Sequence, residues 1–175
     1  MRTLLALVAL GLFAVPASAA ERDHDGYFHT GEGIRYKKIA FINIKVYAID
    51  HYMKDLPPQK SKQAVIDAEV DKKISWKMLR SVDADKIKNA LREAYAKNGY
   101  GDAAKIASFV DSIAKELKEG DSVTIKYDAA RKATTISSPA GTATVPGEDF
   151  MKATWSIWFG KIDQKDLGDN LLKSF

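Results

Sequence analysis

The chain has 175 residues, no cysteine, three histidines and a formal net charge of +4 from 27 basic and 23 acidic side chains. Without thiols it is neither a disulfide scaffold nor a cysteine-dependent catalyst or metal site. Its lysines are interspersed with acids along the chain, the pattern of a solvated surface rather than of a nucleic-acid footprint, so no nucleic-acid partner is expected.

The N-terminus reads as a targeting segment. Met1 and Arg2 supply a short positive start, residues 4–15 are apolar, and Pro16 precedes the small residues Ala17-Ser18-Ala19-Ala20. This layout predicts a secretory signal peptide over residues 1–20, cleaved after Ala19 or Ala20, and a periplasmic or secreted product. The apolar run is too short for a span, and none later is long enough, so no stable membrane insertion is expected. Residues 21–175, about 155 of them, suit one domain with its own core.

Residues 21–27 are polar and read as a loosely held lead-in. His24 and His29 lie at this end and His51 far along the next element; the three show no ligand spacing, and neither a metal nor a cofactor is expected.

Residues 31–53, GEGIRYKKIAFINIKVYAIDHYM, read as one long β-prone run. From Phe41 onward one parity gives Ile42, Ile44, Val46 and Ala48, an apolar set assigned to the core. The other gives Asn43, Lys45, Tyr47, Ile49 and His51. Those residues suit either the wall of a ligand pocket or a face turned to water, and on the residues alone the water-facing assignment is preferred.

Pro57 and Pro58 interrupt the pattern. Ser61 caps a short helix over 61–68, and residues 72–80 form a strand with Ile74, Trp76 and Met78 on one face. Two amphipathic helices follow. The first carries Ile87, Leu91, Ala94 and Tyr95 and ends at Asn98-Gly99. The second starts at Asp102, runs through Ile106, Phe109, Val110, Ile113 and Leu117, and stops at Gly120.

Three short strands come next, over 122–127, 132–137 and 142–145, separated by turn sequences. Pro146-Gly147 opens a third major helix containing Phe150, Ala153, Trp155, Ile157 and Trp158, and residues 166–175 close the chain as a last helix. Both tryptophans are assigned to the core. The element order is that of an α+β domain, a mainly antiparallel sheet with helices packed on it.

Taken together, Gly31-x-Gly33-Ile34-Arg35, Phe41, Lys45-Val46-Tyr47-Ala48-Ile49 with Tyr52, Arg80-Ser81-Val82, Leu91-Arg92-Glu93, Glu119-Gly120-Asp121, Pro146-Gly147-x-x-Phe150, Ser156-Ile157-Trp158-Phe159-Gly160 and Leu171-Leu172 resemble the chalcone isomerase-like family. The leader resembles that of its bacterial, exported branch. The resemblance implies an open-faced β-sandwich, with an antiparallel sheet covered by a layer of helices and a ligand pocket between them.

In the plant isomerases of the family, an arginine of the Gly-x-Arg segment and a hydroxyl on the long strand begin the active site. Arg35 matches the arginine, and Tyr47 stands where those enzymes have a threonine. Their helical tyrosine and asparagine fall here near Lys86 or Ile87 and near Glu93 or Ala94, and a late-helix threonine falls on Ile157. The resemblance therefore implies a non-catalytic monomer that binds a small amphipathic carboxylate such as a fatty acid. Arg35 and Tyr47 would hold the carboxylate, with Ile49 beside them. One alternative is an intramolecular lyase of the chalcone isomerase type, closing an enone to a flavanone with Arg35 and Tyr47 as its site. Another is an envelope protein that binds a partner and no small ligand.

Overall fold

The computed structural model describes residues 22–175, so the predicted signal peptide lies outside the described residues. Six strands form one antiparallel sheet in sequence order: β1 (Phe28–Ile39), β2 (Ile42–Met53), β3 (Lys72–Met78), β4 (Ser122–Asp128), β5 (Ala133–Ser138) and β6 (Gly141–Pro146). The helices are α1 (Lys62–Asp67), α2 (Ala84–Lys97), α3 (Ala103–Val110), α4 (Glu148–Phe159) and α5 (Leu167–Asn170). This is the expected α+β architecture, a sheet with one face under helices.

The predicted long strand is in fact a hairpin. The chain reverses at Ala40 and Phe41, between the register pair Ile39 and Ile42, and Ala40 takes a left-handed φ of 53°. No Asn-Gly or Gly pair marks that turn, so the residues on either side read as continuous strand.

The assignment of faces is also reversed. Tyr47, Ile49, His51 and Met53 face the helices, and the last three are buried, whereas Ile42 is exposed and Ile44, Val46 and Ala48 are only half-buried. Two irregularities in the β1–β2 register, one at Thr30 and one beside Val46, adjust which side chains point inward. A bulge of this kind re-aims the residues around it, and a period-2 reading cannot anticipate it.

Helix α4 lies at the centre of the helical layer, with eight of its residues buried, including Phe150, Trp155 and Trp158. It contacts α1, α2, α5 and β5. A strip of apolar residues on the inner face of β3 and β4 (Ile74, Trp76, Met78, Val123, Ile125) completes the core.

Ser61 caps α1 as expected, its side chain accepting from Ala64 N at 3.1 Å, and Asp102 caps α3 by accepting from Lys105 N at 3.0 Å. Helix α3 ends at Val110, short of the predicted Gly120. Beyond it Ala114 N donates to Ala140 O at 3.2 Å, and Leu117 and Val82 exchange backbone bonds. Ile113 and Leu117 are buried from this extended segment, not from a helix. The final helix is likewise shorter than the predicted 166–175. The lead-in is tied down: Asp23 accepts from the Tyr27 and Asp25 amides, pairs with Lys73 at 2.8 Å, and Tyr27 is buried.

Candidate functional site

The two glycines of the Gly-x-Gly-x-Arg stretch are there because α5 lies directly on β1. A Cβ at Gly31 would stand 2.3 Å from Asn170 O, and one at Gly33 would stand 2.7 Å from Leu167 Cδ1. At Gly31, where the obstacle is backbone, only a residue without a side chain allows that approach. Arg35, two residues beyond Gly33, passes the end of α5 and meets the α4–α5 connection.

Its guanidinium donates to Asp163 Oδ1 at 2.6 Å and to Gln164 Oε1 at 3.4 Å. Gln164 is itself held to β1, accepting from Tyr36 N and donating to Ile34 O, each at 2.9 Å. The arginine side chain is 22% exposed and its aspartate partner 62%. Burial works to raise the Asp163 pKa, but the charge and hydrogen bonds of Arg35 outweigh it and hold the carboxyl below its usual range.

Arg35 and Tyr47 are register partners across the hairpin, so both side chains stand on the helix-facing side. The Tyr47 ring stacks on Trp76, with centroids 5.2 Å apart, and its oxygen accepts from Trp158 Nε1 at 3.0 Å. Burial pushes the Tyr47 pKa up, against the Trp158 bond and the nearby Arg35 charge. Because the indole N–H is the donor, the phenol proton is free, and among the described residues no acceptor takes it. Ile49, the third expected ligand contact, lies between Gly33 and Trp76 in register and is wholly buried in the core.

A second polar cluster lies deeper. His51, expected to be solvated, is fully buried. Its Nε2 accepts from Trp155 Nε1 at 2.9 Å, which leaves the ring proton on Nδ1, 2.6 Å from Thr30 Oγ1. The threonine hydroxyl donates onward to Leu171 O at 2.9 Å. Burial first, then the charges of Lys72 and His29, push the His51 pKa well down. Lys72 is also buried, its ammonium donating to Val65 O at 2.7 Å and Ile66 O at 3.2 Å and lying 4.8 Å from the Trp155 ring centroid; burial lowers its pKa to about 7. Sequence reasoning missed both groups: Lys72 shares the apolar parity of Ile74, Trp76 and Met78 on β3, whereas His51 lies on the parity of β2 for which the water-facing assignment is preferred.

The opposite face of the sheet carries an open cleft of about 780 Å³ lined by polar side chains, among them Asp23, Lys54, Lys73, Ser75, Thr124 and Lys126. It is separated from Arg35 and Tyr47 by the sheet itself. Near the outer edge His29, Glu32 and Asp50 each place one potential ligand atom within 4.8 Å of the others, the only such grouping among the described residues, with His29 Nε2 already 3.1 Å from Asp50 Oδ1.

The sequence profile described as chalcone isomerase-like matches residues 19–173. The chain belongs to the chalcone isomerase-like family. Among solved structures it is similar to a fatty-acid binding protein of Arabidopsis thaliana, with a TM-score of 0.69 and 15% identity over 86% of this chain and 89% of that one. At that identity the likeness is one of fold. Among curated proteins there is no significant match.

Within this family frame, the positions expected to match the helical residues of the plant isomerases carry no buried polar pair. Ile87 and Ala94 are half-buried, Lys86 and Glu93 are exposed, and Ile157 is buried among apolar neighbours. The buried hydroxyls of the helical layer are instead Tyr95 and Thr154, 2.8 Å apart and joining α2 to α4.

Proposed function

We propose that this protein is an exported, non-catalytic member of the chalcone isomerase-like family that binds a small amphipathic carboxylate such as a fatty acid. The observation that carries the reading is the Arg35–Tyr47 pair. A guanidinium and an uncommitted phenol proton face the same side of the sheet from directly opposed positions.

A carboxylate between them takes a charge-assisted bond from Arg35 on one oxygen and the Tyr47 hydrogen on the other. Asp163, mostly exposed and in the α4–α5 connection, occupies the guanidinium as a ligand carboxylate would. Exchange of one carboxylate for the other conserves the charge balance at Arg35. The tail follows the indoles of Trp76 and Trp158, whose ring centroids lie 5.4 Å apart, toward the apolar layer between sheet and α4. Export is supported by the n–h–c layout of residues 1–20.

Native mass spectrometry of protein purified from the periplasm tests this, beside the Arg35→Ala variant. A bound mass matching a fatty acid, lost in the variant, is the expected result. An empty wild type, together with Arg35-dependent ring closure of a chalcone followed by absorbance, would overturn it in favour of the lyase.

A further inference from the structure

The β1–β2 hairpin reaches beyond the rest of the sheet. β3 pairs with β2 only from Tyr47 onward, so residues 36–45 form a two-stranded ribbon with no third strand beside it. Its tip is apolar and open to solvent: Ile39 is 54% exposed, Phe41 99% and Ile42 68%. With Leu79 they are the large hydrophobic side chains that the described residues expose.

Behind the tip stands a collar of lysines. Lys37 lies opposite Ile44, Lys38 opposite Asn43 and Lys45 opposite Tyr36. All three are exposed, and among the described residues none makes an ion pair. Between Gly33 and Ile49 the chain has Arg35 and these three lysines and no acid, a charge equal to the +4 of the whole molecule. The remaining basic and acidic side chains balance. The positive charge of the protein is therefore concentrated on this one arm, behind its most exposed aromatic residue.

We propose that the hairpin tip is a docking finger for the surface of an anionic phospholipid bilayer. Phe41, Ile39 and Ile42 insert at the boundary of headgroups and acyl chains, while Lys37, Lys38 and Lys45 lie among the anionic headgroups. An apolar wedge with a basic collar suits that interface, and each signal alone is weak. A convex finger of so few side chains buries little against a second protein, and its unpaired lysines would repel a second copy of itself. The docked hairpin holds Arg35 and Tyr47 roughly 14 Å from the tip, at about 3.4 Å per residue along β1.

The absence of cysteine makes the test direct. A Phe41→Cys variant labelled with a polarity-sensitive fluorophore is mixed with vesicles of phosphatidylcholine alone and of equal parts phosphatidylcholine and phosphatidylglycerol. The probe shifts to the blue with the anionic vesicles only, and the shift fades as salt rises from about 50 mM to roughly 500 mM. Unlabelled wild type co-sediments with the same vesicles. Each Lys→Gln change in the collar weakens binding about fivefold, and Phe41→Ser abolishes it without altering the melting temperature.

Absence of co-sedimentation at low salt, or equal binding by the triple Lys→Gln variant, would overturn the proposal. So would wild-type self-association without vesicles that Phe41→Ser removes, since the tip would then be a contact between copies. Docking is independent of the carboxylate reading: Tyr47→Phe, which weakens the proposed ligand site and leaves the charge of the arm unchanged, keeps vesicle binding.

Discussion

Trp155 donates its indole N–H to His51 Nε2 at 2.9 Å, and this bond from α4 to β2 fixes the tautomer of a histidine with no access to water. The ring is neutral and donates from Nδ1 to Thr30. Burial disfavours the imidazolium, so the folded-state pKa lies well below the ordinary 6.5. Above that value neither state is charged and the group is silent. As pH falls below about 6.5 the unfolded chain takes up a proton that the folded one refuses, and stability drops by up to ~1.4 kcal/mol per pH unit. Nitrogen NMR of the imidazole at pH 5.5 is expected to show one protonated and one bare ring nitrogen. Two protonated nitrogens in the folded protein would contradict the buried relay.

Lys72 offers a pH dependence at the other end of the range. Its folded pKa of about 7, against an ordinary 10.5, means that the unfolded chain holds the extra proton between those values. Wild-type stability therefore gains from this group as pH rises from 7 toward 10.5, and the full penalty applies at and below 7. Lys72→Met keeps most of the aliphatic bulk and removes the titration. Its midpoint in urea, compared with wild type at pH 7, 8 and 9, should show an advantage that shrinks as pH rises. Two curves that run parallel would show that Lys72 is not desolvated as the fold places it.

Gly31 and Gly33 differ in what they protect. A methyl at Gly31 meets the backbone of Asn170 and Leu171, which cannot move without lifting α5 from the sheet. One at Gly33 meets the flexible end of the Leu167 side chain. Gly31→Ala is expected to cost about 3 kcal/mol or more, and Gly33→Ala about 1 kcal/mol. Chemical denaturation of the two variants gives the ranking, and equal losses would mean that α5 does not rest on β1 as described.

Asp163 competes with any carboxylate for Arg35. Removing its charge with Asp163→Asn should tighten binding of a long-chain fatty acid about two- to fivefold, the scale of a largely exposed ion pair. Tyr47→Phe should weaken binding by about tenfold, as expected for one lost donor to a charged group. Titration calorimetry reads both. Weaker binding in Asp163→Asn would mean that the aspartate helps to hold the ligand, and would move the site away from the guanidinium.

What local periodicity and end-chemistry control is legible along the chain. The cap at Ser61, the α2 stripe of Leu91 and Tyr95, the β4–β6 meander and the core helix α4 opened by Pro146-Gly147 follow from neighbours within a few positions along the chain, and the family from motifs spread over its length. Tertiary structure alone decided which face of β2 is the inside. The alternation of Ile42, Ile44 and Val46 is apolar, yet its first members sit on a ribbon beyond the sheet where no helix covers them. The bulges at Thr30 and Val46 re-aim the side chains beside them.

His51 and Lys72 are buried because α4 and α1 bring an indole N–H and backbone carbonyls to them, partners more than 100 positions away in one case. Arg35 stood out in the sequence, but its Asp163 and Gln164 partners come from the α4–α5 connection, which meets β1 only because two glycines let α5 lie flat on the strand. A polar group's environment is set by what the fold stacks over it. That is a property of three dimensions, and side-chain period along a strand does not carry it.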